Sequence, residues 1–182
     1  YVRQIADSGR YELTLKVWEL GTRVIARLDI VAEATPTLRR LAAHTGETVH
    51  LATLEGDEVV FVHRIDSPVP IRAYSAIGGR APAHALALGK VLLAFQPPGV
   101  VDLSRARKAY TEATITQPAD LRREFERIRK LGHALNKGEW RETVFGVAAP
   151  ILDANGRAVA AIGLSGPRER FGPRAMKEGA PL

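Results

Sequence analysis

The sequence predicts an α+β fold in which a six-stranded, largely antiparallel sheet is flanked by helices. Two patterns predict it. Short apolar segments alternate with turn signals such as Asn155-Gly156, which is typical of β-hairpins. Other segments repeat apolar residues every three or four positions, as Leu121, Phe125 and Ile128 do, which indicates amphipathic helices that cover a sheet.

The first predicted elements form a small N-terminal unit. A turn-rich spacer over 5–9 separates two short extended segments, 1–4 and 10–15, and so predicts a hairpin. Apolar residues at mostly helical spacing over 15–30 then predict a connecting helix. We therefore expect a domain boundary near Ile30. The expected divisions are 1–15 for the hairpin, 16–30 for the connecting helix and 31–182 for the main domain.

The main domain is predicted to begin with a helix and to continue mainly as strands. Thr35 and Pro36 predict the N-cap and first position of that helix, and Gly46 predicts its end. A buried helix rich in Ala and Leu is expected over 84–95, and the helix that contains Leu121 is expected to end at Gly132. The predicted strands are 47–54, 59–62, 71–75, 133–140, 144–152 and 157–164.

The composition excludes several kinds of chemistry. The 182 residues contain no cysteine, which excludes disulfides, Cys-ligated zinc and thiol nucleophiles. No apolar run reaches the roughly 18 to 20 residues that cross a bilayer, and the chain does not open with a basic-then-apolar leader, so we expect a cytoplasmic protein with no membrane partner. The net charge of +6 permits attraction to polyanions, but an arginine-rich surface without such a partner explains it equally well.

The reactive side chains form no recognisable catalytic or metal-binding motif. The five histidines lack metal-ligand spacing, so no metal is expected. The segment that ends in Gly89-Lys90 superficially resembles a phosphate-binding loop, but Val91 stands where such a loop carries a hydroxyl. Ser165 lacks the Gly-x-Ser-x-Gly frame of a hydrolase nucleophile. We therefore expect no catalytic residue and no cofactor.

Structural roles are expected for most of the other polar residues in these segments. Lys90 is expected to snorkel from, or cap, an apolar helix, and Glu139 and Glu142 to be surface charges or loop contacts. His84 is expected to form a hydrogen bond at a helix start. For Ser165 two roles stay open, because a hydroxyl at a strand end either initiates a turn or holds a polar group of a ligand.

Several separated motifs, in a consistent order, resemble the IclR family of bacterial transcriptional regulators. They are Tyr11-Glu12-Leu13 through Leu20-Gly21, Gly46-Glu47-Thr48-Val49, Gly78-Gly79 to Pro82 with His84-Ala85 and Gly89-Lys90, Thr111 through Thr116, and Gly146-Val147-Ala148-Ala149-Pro150-Ile151 with Asp153, Gly156 and Ser165-Gly166-Pro167. The resemblance implies a GAF-like effector-binding domain, preceded by the wing hairpin of a winged helix-turn-helix domain and by a linker helix.

The resemblance also implies partners. It implies a regulator that binds double-stranded operator DNA as a homodimer or tetramer and changes its DNA affinity when a small organic-acid or aromatic metabolite binds. Arg3 and Arg10 would contact phosphates or the minor groove, and the recognition helix would lie upstream of Tyr1. The residues that the resemblance places around the effector are Ala73, Ala87, Leu88, Gly89, Asn136, Val144, Gly146, Gly163 and Ser165.

The resemblance further suggests what kind of effector fits. Gly146 and Gly163 stand where related proteins can carry larger or hydroxyl-bearing side chains, so the pocket is expected to be roomier and less polar. An aromatic or medium-sized organic acid is therefore expected to fit better than a two- or three-carbon acid. Its carboxylate would accept hydrogen bonds from backbone amides near Leu88 and Gly89, at a helix start.

Two alternatives from other functional classes stay open on the sequence alone. A small-molecule hydrolase on the same fold would use His84 and Ser165, and the absence of an encoded helix-turn-helix upstream would favour it. A GAF-type signalling module would instead feed a catalytic domain elsewhere in the full-length chain.

Overall fold

The chain divides by its internal contacts into two units, Tyr1–Thr35 and Pro36–Leu182. The structure, a computed structural model, describes residues 1–26, 29–69 and 75–172. The division falls inside a helix, a little beyond the boundary expected near Ile30. The assignment of 1–15, 16–30 and 31–182 to a wing, a linker and an effector domain stays a prediction.

The first unit contains the predicted hairpin and a helix that covers most of the predicted range 15–30, while Asp29 and Ile30 belong to the next helix. Strands β1 (Val2–Gln4) and β2 (Tyr11–Leu13) pair antiparallel, with Val2 opposite Leu13. The turn closes through a 2.8 Å hydrogen bond from the Ile5 amide to the Arg10 carbonyl. Helix α1 follows at Leu15–Ala26, and the apolar side chains of Leu15 and Trp18 on it are 83% and 70% exposed.

Helix α2 corrects one prediction. It runs from Asp29 to Thr45 and passes through Pro36, so Thr35 and Pro36 do not begin a helix. The hydroxyl of Thr35 donates a 2.6 Å hydrogen bond to the Val31 carbonyl one turn earlier, which is the behaviour of a residue inside a helix. Gly46 ends the helix as predicted, with a φ of +68° that favours glycine.

The second unit is built on the predicted six-stranded antiparallel sheet, and its fold class is confirmed. The strands are β3 (Thr48–Glu55), β4 (Glu58–Ile65), β5 (Arg80–Pro82), β6 (Ala134–Lys137), β7 (Val144–Leu152) and β8 (Ala158–Pro167). Their order across the sheet is β5-β4-β3-β8-β7-β6. β7 has the predicted bounds, β6 ends three residues before the predicted Trp140, and β8 continues beyond the predicted Leu164.

One strand of the sheet was not predicted, and one predicted strand falls mostly outside the described residues. Most of the segment predicted over 71–75 lies outside the described residues, and Ser75 is not in a strand. Among the described residues, the edge strand next to β4 is β5, which pairs through Val59 opposite Ala81. Its three residues include Pro82, which an edge strand tolerates because one side of it donates no ladder hydrogen bond.

Two helices and a short 3-10 turn cover the sheet. Helix α3 (Ala87–Ala94) follows the 3-10 turn at Ala83–Ala85, contacts β3, β6, β7 and β8, and is buried along its whole length. Helix α4 (Pro118–Leu131) packs against α3 through Leu121, Phe125 and Ile128, and Gly132 ends it as predicted with a φ of +74°. The apolar core therefore lies around α3 and includes side chains from the sheet and from α4.

The described helices are too short or too polar to cross a bilayer.

Candidate ligand-binding site

A cavity lies where the start of α3 meets strands β3, β4, β7 and β8. About 50 Å³ of it can hold the centre of a water molecule, which is several times what one buried water needs. Aromatic, aliphatic and polar side chains share its wall. The lining residues are His50, Phe61, Ser75, Leu86, Ala87, Leu88, Asn136, Trp140, Arg141, Val144, Gly146, Val147, Leu164 and Ser165.

His50 and Ser165 form a hydrogen-bonded pair in this wall. The Nε2 atom of His50 lies 2.9 Å from Oγ of Ser165, because β3 and β8 are neighbours in the sheet and bring the two side chains together. The imidazole packs on Phe61 with 5.3 Å between ring centroids. The buried Nδ1 atom of His50 forms no hydrogen bond with any described residue.

Burial keeps the imidazole of His50 neutral. The pKa of His50 is lowered to about 4, mainly by burial and also by the positive charge of Arg64, while the negative charge of Asp66 opposes both effects. At neutral pH one ring nitrogen of His50 is therefore a donor and the other an acceptor.

The loop between β6 and β7 brings Trp140 and Arg141 to the cavity. The guanidinium of Arg141 stacks over the Trp140 ring at 4.4 Å from its centroid. Backbone contacts hold the loop, since the Thr114 hydroxyl donates a 2.6 Å hydrogen bond to the Glu139 carbonyl and the Glu139 amide donates a 2.8 Å bond to Oδ1 of Asn136. Arg141 is exposed, so its positive charge lies at the open side of the cavity.

A buried ion pair connects this loop to α3, and it corrects the expectation that Lys90 snorkels from or caps the helix and the first of the two roles expected for Glu139, a surface charge. The Lys90 side chain is 1% exposed, and its ammonium donates to Oε1 of Glu139 at 2.6 Å and to Oε1 of Glu124 at 3.2 Å. Lys90 does not snorkel, because α3 is enclosed on all sides and its side chain has no path to solvent. Glu139 is buried as well, and is not a surface charge.

The two carboxylates of this cluster have different pKa values. Burial raises the pKa of Glu139, although Lys90 opposes the shift. Burial also raises the pKa of Glu124, but the hydrogen bonds from Arg127 and the charge of Lys90 outweigh it and bring the pKa to about 2. Glu124 is therefore ionised, and the Lys90 charge is compensated from two sides.

The first turn of α3 presents backbone amides at the cavity. The first hydrogen bond of α3 runs from the Lys90 amide to the Leu86 carbonyl at 2.8 Å. The amides of Ala87, Leu88 and Gly89 precede it and have no acceptor within the helix. Leu86, Ala87 and Leu88 line the cavity, so this helix start offers donors to a negatively charged group.

Two glycines that were expected at the ligand lie behind the wall. A Cβ on Gly89 would stand 2.1 Å from the Ala83 carbonyl oxygen, so Gly89 allows α3 to pack on the turn before it. A Cβ on Gly163 would stand 2.9 Å from Cδ2 of Leu88, so Gly163 lets β8 and α3 approach each other. Neither residue lines the described cavity.

The remaining expected residues divide into two groups. Ala87, Leu88, Asn136, Val144, Gly146 and Ser165 line the cavity, whereas Ala73 lies outside the described residues. Their roles in ligand binding stay predictions.

Sequence reasoning missed His50, Phe61 and Arg141, among others, because they come from segments distant in sequence. The available signal for His50 was a polar residue inside the otherwise apolar run Val49-His50-Leu51-Ala52.

The His84 and Ser165 pair of a hydrolase is not formed. Nε2 of His84 lies 2.9 Å from the Lys108 carbonyl, which confirms the expected structural hydrogen bond. Ser165 pairs with His50 instead, and no described carboxylate contacts Nδ1 of His50 to orient it as a general base. Within residues 1–26, 29–69 and 75–172, no three His, Asp or Glu side chains converge as a metal site would need.

The two arginines of the hairpin have different surroundings. The Arg3 guanidinium pairs with the Glu12 carboxylate directly across the hairpin. Arg10 is exposed beside the turn. Their contact with DNA stays a prediction, and the Glu12 carboxylate compensates part of the Arg3 charge.

Comparisons with known proteins agree on one family. The family model described as the C-terminal domain of the bacterial transcriptional regulator IclR matches residues 22–180. The HTH-type transcriptional regulator KdgR of Escherichia coli (strain K12) is 36% identical over 181 residues, which are 98% of this chain and 69% of that protein.

Solved structures give the same result. The crystal structure of Thermotoga maritima IclR superposes with a TM-score of 0.83 at 33% identity, covering 100% of this chain and 74% of that one. An IclR homologue from Microbacterium hydrocarbonoxydans, crystallised with 4-hydroxybenzoate, superposes with a TM-score of 0.81 at 28% identity, covering 98% and 76%. These relatives are transcriptional regulators and not enzymes.

Proposed function

Because the chain belongs to the IclR family of bacterial transcriptional regulators, we propose that it senses a small organic-acid or aromatic metabolite and adjusts the binding of operator DNA in response. The observation that carries the proposal is the cavity at the start of α3, which combines apolar walls with a few polar groups, as small-molecule sites do. His50 has no orienting carboxylate among the described residues, and this supports binding without turnover.

The lining supports an acid as the effector. Arg141 and the first-turn amides of α3 both attract a carboxylate, while Phe61 and Trp140 offer ring surfaces to an aromatic group. The structural relative bound to 4-hydroxybenzoate has such a ligand. The accessible wall is mainly apolar, in line with the less polar pocket that its glycines suggested, and His50 and Ser165 are among its few polar residues.

The N-terminal unit supports a DNA-binding assembly. The relatives are HTH-type regulators, and Arg3 and Arg10 on the hairpin are suited to phosphate contacts. The exposed Leu15 and Trp18 on α1 suit a surface that a second subunit covers, in a homodimer or tetramer. Effector binding would shift the population between arrangements that fit the operator and arrangements that do not, in the cytoplasm where the operator lies.

The test uses the full-length protein with a panel of carboxylic acids. An acid that binds the folded protein raises its melting temperature and changes its affinity for operator DNA. Arg141→Gln is expected to weaken binding of that acid by about tenfold or more, since a charge-assisted hydrogen bond is lost. Arg105→Gln, which removes an exposed arginine outside the cavity, is the matched control.

Two results would contradict the proposal. One is that no acid in the panel stabilises the protein or alters DNA binding. The other is turnover of an ester or amide that Ser165→Ala abolishes, because this would make the protein a hydrolase.

A further inference from the structure

The loop between β6 and β7 is buried at Glu139 and exposed shortly after it. Glu139 is buried, whereas residues 141–143 are all exposed. Trp140 and Arg141, which follow Glu139 directly, line the cavity. The places of these two side chains in the cavity wall therefore depend on how Glu139 is held.

Lys90 of α3 holds the side chain of Glu139. Its ammonium donates to Oε1 of Glu139 at 2.6 Å and to Oε1 of Glu124 at 3.2 Å. The second carboxylate oxygen of Glu139, Oε2, is buried and forms no hydrogen bond with any described residue. Lys90 is therefore the main partner of this carboxylate.

The other hydrogen bonds of Glu139 involve its backbone and do not reach α3. Its carbonyl accepts from the Thr114 hydroxyl at 2.6 Å, and its amide donates to Oδ1 of Asn136 at 2.8 Å. These bonds join the loop to the segment before α4 and to β6. The ion pair adds a contact with α3, on which Lys90 lies two residues after the lining residue Leu88.

The loop is tight, so a displacement of Glu139 reaches its far end. Gly138 has a φ of +82°, and a Cβ on it would stand 2.8 Å from the Glu142 carbonyl oxygen. The backbone at Gly138 and at Glu142 is thus nearly in contact, with Trp140 and Arg141 between the two ends. We expect such a short closed turn to move largely as a unit.

An ion pair is a costly way to fill this place in the interior. Burying charged groups carries a desolvation cost, and well-packed apolar side chains often replace a buried ion pair without loss of stability. What a charge-assisted hydrogen bond adds is a defined direction and distance between two groups. A binding site needs such support, because its contact residues must be held in place by the residues around them.

We infer that Lys90 and Glu139 are positioning residues of the ligand site, whose ion pair holds Trp140 and Arg141 in place relative to the start of α3 and so sets the affinity for the ligand. The inference rests on the proposed function, because it assumes that a ligand occupies this cavity. It adds to the affinity-determining residues two that do not line the cavity themselves.

The first experiment separates affinity from stability. Calorimetry with the full-length protein, at a temperature where every variant is folded, measures the affinities of a panel of acids that includes benzoate and pyruvate. Lys90→Met is expected to bind each acid about tenfold or more weakly than the original protein does. The double variant Lys90→Met/Glu139→Gln has no uncompensated charge and regains stability, but it also has no ion pair. Its affinity is expected to stay low.

Two control variants complete this experiment. Leu38→Ala removes a buried side chain of α2 that does not line the cavity, so it is expected to lower the melting temperature and keep the affinity. Glu139→Gln keeps an oxygen that accepts from Lys90, while Glu124 still compensates the Lys90 charge. This conservative variant is expected to keep most of the affinity.

A second experiment observes the loop without any ligand. ¹⁹F NMR of the full-length protein labelled with 5-fluorotryptophan reports the surroundings of Trp140, whose resonance is the one absent from Trp140→Phe. The Trp140 ring is partly buried against the core. Its resonance is therefore expected to move toward that of an exposed ring in Lys90→Met/Glu139→Gln, and to stay in place in Leu38→Ala.

The outcomes separate the inference from the proposed function. If an acid binds and its affinity recovers together with stability in the double variant, the pair has only a structural role, so the inference is wrong and the proposed function stands. The same holds if the Trp140 resonance does not move when the pair is removed. If no acid of the panel binds the original protein, the proposed function fails, and the inference about affinity fails with it.

Discussion

At the scale of single residues, His50 shows how burial changes chemistry. An imidazole on the protein surface would be partly charged at neutral pH. The imidazole of His50 is buried on β3, where it is neutral and forms a hydrogen bond with Ser165 of the neighbouring strand β8. Its value to the protein is therefore as a hydrogen-bonding group and not as a charge.

The first prediction concerns the pH dependence of stability that His50 produces. Its pKa is about 4 in the folded protein and about 6.5 when unfolded, so the unfolded chain binds more protons between these values. The contribution of His50 to the free energy of unfolding is fully present above pH 6.5 and decreases as the pH falls toward 4. Between pH 7 and pH 5 the loss is about 2 kcal/mol.

Denaturant unfolding at both pH values measures this loss. His50→Gln removes the titrating group, so the variant is expected to lose about 2 kcal/mol less than the original protein over the same interval. Burial also lowers the pKa values of His63 and His84. Both residues titrate in the variant as they do in the original protein, so their contributions cancel when the two losses are compared. Equal losses in the two proteins would contradict the prediction, as would an NMR titration of His50 near its ordinary pKa.

Gly89 gives a second prediction at this scale. Alanine normally stabilises a helix relative to glycine by about 1 kcal/mol, and Gly21→Ala in α1 is expected to do so because nothing lies within 4 Å of its Cβ position. Gly89→Ala is expected to lower stability by about 1 to 3 kcal/mol, since its Cβ would meet the Ala83 backbone at 2.1 Å. Thermal unfolding of both variants checks this, and two shifts of the same sign would refute it.

At the scale of elements, α3 organises the second unit. It is buried throughout, it begins at the cavity, and Lys90 on it binds Glu139 in the loop that carries Trp140 and Arg141. The ion pair thus connects the innermost helix with the loop at the open side of the cavity.

Removing Lys90 is expected to destabilise the protein strongly. Lys90→Met leaves the buried Glu139 carboxylate without its cation, which costs about 3 to 5 kcal/mol. Adding Glu139→Gln is expected to recover much of the loss, because the uncompensated charge is then absent. Urea unfolding of the single and double variants provides the measurement.

The matched control for Lys90 is an exposed arginine. Arg123 forms an ion pair with Asp120 on the surface of α4, so Arg123→Met is expected to change stability by less than about 1 kcal/mol. If Lys90→Met were as mild as Arg123→Met, the buried pair would not have the role assigned to it.

At the scale of the whole molecule, the two units have different surfaces. The second unit encloses its apolar side chains in a core around α3, whereas the first unit exposes several of its own. This contrast fits a division of roles in which one unit holds a ligand and the other contacts partners.

The fourth prediction concerns DNA binding by the full-length protein. If Arg10 contacts one phosphate, Arg10→Ala lowers the slope of log affinity against log salt by about 0.9. Arg3→Ala is expected to lower it by less, because Glu12 already compensates part of the Arg3 charge. Filter binding at several salt concentrations measures the slopes. An unchanged slope in Arg10→Ala, equal to that of Arg105→Ala, would exclude the contact.

The sequence predicted most of the fold because its signals are local. Gly46 and Gly132 ended helices as expected, the bounds of β7 were predicted without error, and the apolar spacing of α4 was sufficient to identify it. The predictions that failed also came from local signals, which tertiary packing overrode. Thr35 and Pro36 have the form of a helix start, yet α2 continues through them.

The sequence by itself determined the fold class, the family and part of the cavity wall, since each depends on residue patterns along short segments. Only the tertiary structure decided that His50 meets Ser165, that Lys90 meets Glu139, and that Gly89 and Gly163 pack behind the wall. The physical reason is that these contacts join segments far apart in the chain, except that Gly89 meets the turn directly before its own helix. Strand order and helix burial set them, and neither is a property of a short stretch of sequence.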